Sequence, residues 1–154
     1  MKIGKNVKSI AKNAFFECYI LTGDLIIPDS VISIGNSAFG GCTNLTIAPK
    51  LPATNLASQC YYKMFSNCTS LTEASVLPAT ILAYQCYYRM FESCIQLKTI
   101  TMLATNITAS ECLYNWVEGV ASTGTFTKAK EMESLPSSYN GIPYGWSVKN
   151  YSEE

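Results

Sequence analysis

The sequence predicts an α/β repeat fold: a right-handed solenoid of about four to five stacked coils, with short helices on its convex side and a C-terminal β-rich cap. Three observations carry that expectation. Residues 48–71 (APKLPATNLASQCYYKMFSNCTSL) and 74–97 (ASVLPATILAYQCYYRMFESCIQL) agree at 15 of 24 positions, 26 residues apart. A decayed third copy, LATNITASECLYNWV from Leu103, places Cys112, Tyr114 and Trp116 under Cys86, Tyr88 and Met90. Upstream, a period of 24 relates Val7, Ile10, Ala14, Phe15, Cys18 and Leu21 to Val31, Ile34, Ala38, Phe39, Cys42 and Leu45. A fixed period of roughly 20–50 residues on an apolar frame marks coils that cannot bury a core singly and must stack to do so.

Each coil begins with a strand. It runs from Leu45, Leu71 and Leu97 to the apolar position six residues on (Leu51, Leu77 and Leu103), with Leu21 and Ile27 as the earlier equivalents. Pro28, Pro52 and Pro78 follow three of these ends and stop the ladder, because proline has no N–H to donate. A helix follows over 58–67, 84–93 and 110–119, with shorter ones near 11–17 and 36–40. Cys60, Tyr61, Met64, Phe65 and Cys68 recur at i, i+1, i+4, i+5 and i+8 as one inward face, leaving Tyr62, Lys63, Ser66 and Asn67 outside. The repeats occupy residues 1–118. From 119 to 154 the period breaks into Gly/Ser/Pro turns with strand-like pieces at 125–128 and 145–148, and Phe126 and Trp146 read as plugs of a closing cap. At the other end Ile3, Val7 and Ile10 enter directly into a coil. That predicts a raw upstream edge, in a truncated chain or one covered by a partner or by self-association.

Composition narrows the function. The chain has 154 residues, of which 48% are apolar and 14% charged, with 11 basic and 11 acidic side chains. A formal net charge of zero argues against nucleic acid as the partner. Histidine is absent and aspartate stands only at positions 24 and 29, so the usual acid–base groups are scarce. No apolar run is long enough to insert in a membrane, and no export signal is present in this chain. There is no P-loop, no G-x-G-x-x-G, no G-x-S-x-G elbow and no C-x₂₋₄-C pair for zinc. No catalytic residue, cofactor or metal is therefore expected.

Three groups of residues remain as candidates. The seven cysteines fall into two columns, Cys18, Cys42, Cys68, Cys94 and Cys60, Cys86, Cys112. An odd count cannot pair fully, and the columns read as buried free thiols used as small apolar spacers, with disulfides between coils as the alternative. Tyr62, Tyr88 and Tyr114 form an outward column, either a contact surface for protein or carbohydrate or rings that shield the coil junctions. Tyr61, Tyr87 and Leu113 belong to the core. The outward strand positions make the better binding surface: Thr46, Ile47 and Pro49, then Thr72, Glu73 and Ser75, then Lys98, Thr99 and Thr101. These differ between coils whose frames are nearly identical.

The run IPDSVISIGNSAFGGCTNL at 27–45 resembles the BspA-like leucine-rich-repeat family of bacterial surface proteins. That family's motif is an extended L-x-x-I-x-I-P, then S-V-x-x-I-G, then A-F-x-x-C. LPATNLASQCYYKMFSNCTSL looks like the 26-residue variant found in such proteins from gut anaerobes, and TGTFTKA…GIPYGWSV looks like a module that closes them. The resemblance implies a leucine-rich-repeat solenoid, a secreted or cell-surface location, and a non-catalytic module that binds proteins, host matrix or other cells. A structural spacer and a lectin-like glycan binder are the alternatives.

Overall fold

The computed structural model describes residues 2–23, 25–51, 53–132 and 135–152. Five short strands carry the regular pairing: β1 (Ser9–Ile10), β2 (Ser33–Ile34), β3 (Thr99–Met102), β4 (Thr125–Lys128) and β5 (Ser147–Asn150). All pairings are parallel, β1 with β2 and β3 with β4 with β5. Parallel neighbours need a long return connection, which the rest of each repeat supplies. Single bridges extend the larger sheet backwards, Ile47 to Glu73 and Glu73 to Thr99. One row therefore runs through Ile47, Glu73, Thr99, Thr125 and Ser147.

The strands expected at 45–51 and 71–77 are reduced to isolated bridges, while 97–103 contains β3. A register slip is one reason. Glu73 pairs with Thr99, but Leu77 pairs with Met102, so one residue between them is unmatched and the ladder bulges. Pairing resumes beyond Pro78 at Ile81 and Asn106; proline interrupts this ladder without ending it. Pro52 lies outside the described residues. Of the two strands expected near the C-terminus, β4 falls at 125–128, and β5 starts two residues later than the expected 145–148.

The expected helices are corrected: among the described residues there is no helix. Residues 57–68 form a run of overlapping β-turns. The amides of Cys60, Tyr62, Met64, Ser66 and Cys68 each donate to the carbonyl three residues back. The intervening amides of Gln59, Tyr61, Lys63, Phe65 and Asn67 donate to Tyr84, Cys86, Tyr88, Met90 and Glu92 of the following repeat. Every second N–H is thus spent between repeats, which an α-helix, with all its bonds internal, cannot do. The same alternation joins 85–93 to 110–118. Ser66, expected outside, is buried, and its hydroxyl meets Asn67 Nδ2 at 3.1 Å.

This geometry demands a left-handed residue at every fourth position: Gln59, Lys63 and Asn67, then Gln85, Arg89 and Ser93. One such column contains Glu17, Gly41, Asn67, Ser93 and Gly119, with φ from 54° to 74°. A Cβ in that conformation costs about 1–2 kcal/mol, against about 0.5–1 kcal/mol for the extra chain entropy of glycine. Ser93→Gly should accordingly stabilise the protein by about 0.5–1 kcal/mol, seen as a raised Tm. Ser93→Ala, which keeps the Cβ, should not.

Stacked identical residues fill the interior. Leu45, Leu71 and Leu97 are all fully buried. Phe15, Phe39, Phe65 and Phe91 stack with ring centroids 5.2, 6.0 and 5.9 Å apart. Beside them the thiols of Cys42, Cys68 and Cys94 donate to the carbonyls of Phe15, Phe39 and Phe65, each at 3.1 Å. At the C-terminal seam Trp116 is fully buried, sets its ring edge-on to Phe126 at 6.2 Å, and donates Nε1 to the Gly141 carbonyl at 2.9 Å. Trp146 is also buried and donates to the Ala121 carbonyl at 2.7 Å. Among the described residues no helix is long and apolar enough to cross a membrane.

Candidate binding surface

The parallel rows present side chains outward in register. Thr46, Thr72 and Lys98 are exposed and follow one another along one row, with the Thr72 amide donating to the Thr46 carbonyl and the Lys98 amide to the Thr72 carbonyl. The next row carries Ile47 and Glu73, both exposed, and Thr99, half-buried. Among the described residues neither Glu73 nor Lys98 is held in an ion pair; the ion pair there is Arg89 with Glu92. These side chains are free to meet a ligand, apart from the Thr72 hydroxyl, which donates to the Thr46 carbonyl at 3.0 Å.

The third row departs from expectation. Pro49 is buried, Ser75 is half-buried with its hydroxyl shielded from solvent and without a partner among the described residues, and Thr101 is half-buried. Ser75 lies in the bulge, where the extra residue turns its hydroxyl away from solvent. The surface also extends further than the expected positions. β4 and β5 add Thr125 and Ser147 to the row of Thr99, and Thr127 and Lys149 to the row of Thr101. The Thr125 and Ser147 hydroxyls are 3.2 Å apart. The signal for this extension was in the sequence, since Thr99-Ile100-Thr101 recurs as Thr125-Phe126-Thr127 at the same spacing of 26.

The tyrosine column is a stack. Tyr62 and Tyr88 lie with centroids 4.6 Å apart and planes 5° from parallel, and Tyr88 and Tyr114 at 4.9 Å and 17°. Arg89 sits over both Tyr88 and Tyr114, at 5.7 and 5.9 Å from their centroids. Each inner ring face is covered by the next ring, so the column shows solvent its edges and hydroxyls. Tyr61, Tyr87 and Leu113 are buried, as core residues.

All seven cysteines are free thiols. Burial pushes Cys60, Cys86 and Cys94 up to about 12 from an ordinary 9.0. They stay protonated at neutral pH and supply no thiolate. The native state therefore holds protons that the unfolded chain releases near its ordinary thiol value. The resulting stabilisation is complete below about pH 9 and is lost as pH rises toward about 12. Thermal unfolding should show a Tm insensitive to these thiols at neutral pH and falling steeply over that alkaline window.

Parallel rows of repeated apolar frame residues inside, with varied polar residues outside, define a repeat protein. The chain belongs to the BspA-type leucine-rich-repeat family: the model described as BspA type Leucine rich repeat region matches residues 1–118 in six copies. That count exceeds the four to five coils read from the period. Lys2 pairs in parallel with Ile26, so pairing between repeats begins ahead of Val7, where the period was first read. No curated protein and no solved structure matches the chain.

Proposed function

We propose that the chain is a non-catalytic binding module of a bacterial surface protein, and that its contact area is the two adjacent rows of outward side chains, Thr46 to Lys98 and Ile47 to Thr99. In this reading the repeats wind as a right-handed solenoid, residues 119–154 close it, and the ligand is a protein such as a host-matrix component. The observation that carries the reading is the contrast between rows. Leu45, Leu71 and Leu97 are identical and buried, while the neighbouring outward positions, exposed except for half-buried Thr99, change from Thr to Lys and from Ile to Glu to Thr. A rigid ladder also loses little freedom on binding, which favours affinity from many modest contacts. The surface location rests on the family. The absence of histidine and the protonated thiols support the non-catalytic part. A glycan stacking on the tyrosine column is disfavoured because its inner ring faces are already covered.

The test is capture of soluble matrix proteins by the immobilised chain and by the double variant Glu73→Lys with Lys98→Glu, which reverses the charge pattern of the two rows at constant net charge. Binding through these rows predicts at least a tenfold loss of affinity, about 1.4 kcal/mol. Unaltered capture by the variant removes the rows from the interface, and no capture by either form favours a spacer.

A further inference from the structure

We propose that Tyr62, Tyr88 and Tyr114 form an oxidative cross-linking site, at which a one-electron oxidant joins neighbouring phenols into dityrosine and covalently staples adjacent repeats. Phenoxyl coupling starts with a bond between two carbons ortho to oxygen, and that bond forms perpendicular to both ring planes. The reacting pair must therefore lie face to face. Tyr62 and Tyr88, 4.6 Å apart and 5° from parallel, hold that approach, as do Tyr88 and Tyr114 at 4.9 Å and 17°. Preorganised near-contact of this kind replaces a slow encounter between radicals by a unimolecular step. The column is accessible: Tyr62 and Tyr88 are half-buried and Tyr114 is 38% exposed. Arg89 spans two of the rings and keeps them in register. The exposed pair Tyr139 and Tyr144 offers an internal contrast, since its rings are as near as 5.6 Å but perpendicular.

The chemistry balances with a haem peroxidase and hydrogen peroxide as oxidant. Each of two phenols gives one electron to the haem and its proton to water. The two phenoxyls couple at their ortho carbons, and the two displaced ring protons return to the oxygens and restore the phenols. Hydrogen peroxide is reduced to two waters, and the protein loses two hydrogen atoms. Partial exposure of the ring edges leaves room for the rings to tilt into the biaryl product.

The experiment treats the full chain with a haem peroxidase and hydrogen peroxide, and follows dityrosine fluorescence, electrophoretic mobility and tryptic peptides. Trypsin cuts after Lys50, Lys63 and Arg89, so the Tyr62–Tyr88 link joins peptides 51–63 and 64–89, with fragmentation placing the bond at Tyr62 and Tyr88 and not at Tyr61 or Tyr87. The expected result is a linked species that migrates as a monomer and melts at higher temperature. Tyr88→Phe keeps a stacking ring but removes the partner common to both pairs, and should cut the intrachain yield at least tenfold. Tyr62→Phe should leave only the Tyr88–Tyr114 link, so the proposal can still be judged if Tyr88→Phe misfolds. A yield unchanged by Tyr88→Phe, or links found only between molecules or at Tyr139 and Tyr144, would overturn the proposal.

Discussion

Phe65→Ala is expected to destabilise the protein by about 3–5 kcal/mol. Phe65 is fully buried between Phe39 and Phe91, with ring centroids 6.0 and 5.9 Å away. Removing the ring deletes contacts to two neighbouring repeats at once. The cavity cannot collapse easily, because the Phe65 amide donates to the Met90 carbonyl and its carbonyl accepts the Cys94 thiol. On the other side the Phe39 amide donates to the Met64 carbonyl and the Phe39 carbonyl accepts the Cys68 thiol, so the backbone flanking the void is held at the spacing the ring sets. In a repeat stack most stability comes from interfaces between neighbours, so the loss should spread across the central repeats. The comparison is Phe16→Ala: Phe16 is 50% exposed, and its truncation should cost well under half as much. Chemical denaturation of both variants checks the pair. Equal and small losses would mean that the stacked phenylalanines are not the spine of the fold.

Gly124→Ala should be a strongly damaging single-methyl change. A Cβ at Gly124 would lie 2.5 Å from the Lys98 carbonyl oxygen and 2.7 Å from the Trp146 ring. The first neighbour is backbone and is already committed, since the Lys98 carbonyl accepts the Thr125 amide at 2.8 Å as β4 joins β3. The second is a buried indole held by its bond to Ala121. Neither can yield without opening the β3–β4–β5 sheet, so the cost should reach or exceed the about 1–3 kcal/mol typical of overpacking. Amide exchange should then accelerate in β4 and β5 more than in the turn run at 57–68. A variant as stable as the parent, with unchanged protection in β4, would contradict the close approach.

Much of this architecture was legible in the sequence because a repeat shows the same residue many times. The buried frame of Leu45, Leu71 and Leu97, the phenylalanine column and the core placement of Tyr61, Tyr87 and Leu113 all follow from identity at a fixed spacing. Local conformation was less legible. Apolar residues at i, i+1, i+4, i+5 and i+8 satisfy a helical face, but they repeat at four and not at 3.6. A helix starting at Cys60 would also bring positions 63 and 67 toward the core. Those positions hold Lys63 and Asn67, both in the left-handed conformation, and their polarity every fourth residue was the available sign of a turn run. Thr46, Ile47, Thr72, Glu73 and Lys98 are exposed, as strand alternation expects. That expectation fails at Ser75, where simple alternation along a strand does not survive a bulge, and at Pro49, which is buried beside buried Ala48.

The most direct test is NMR detection of scalar couplings across the backbone hydrogen bonds of residues 57–68. The structure requires the Tyr61 amide nitrogen to couple to the Cys86 carbonyl carbon, and Phe65 to Met90. Couplings from Tyr61 to Ala57 and from Phe65 to Tyr61, with none between repeats, would restore isolated helices and remove the ladder on which every other conclusion stands.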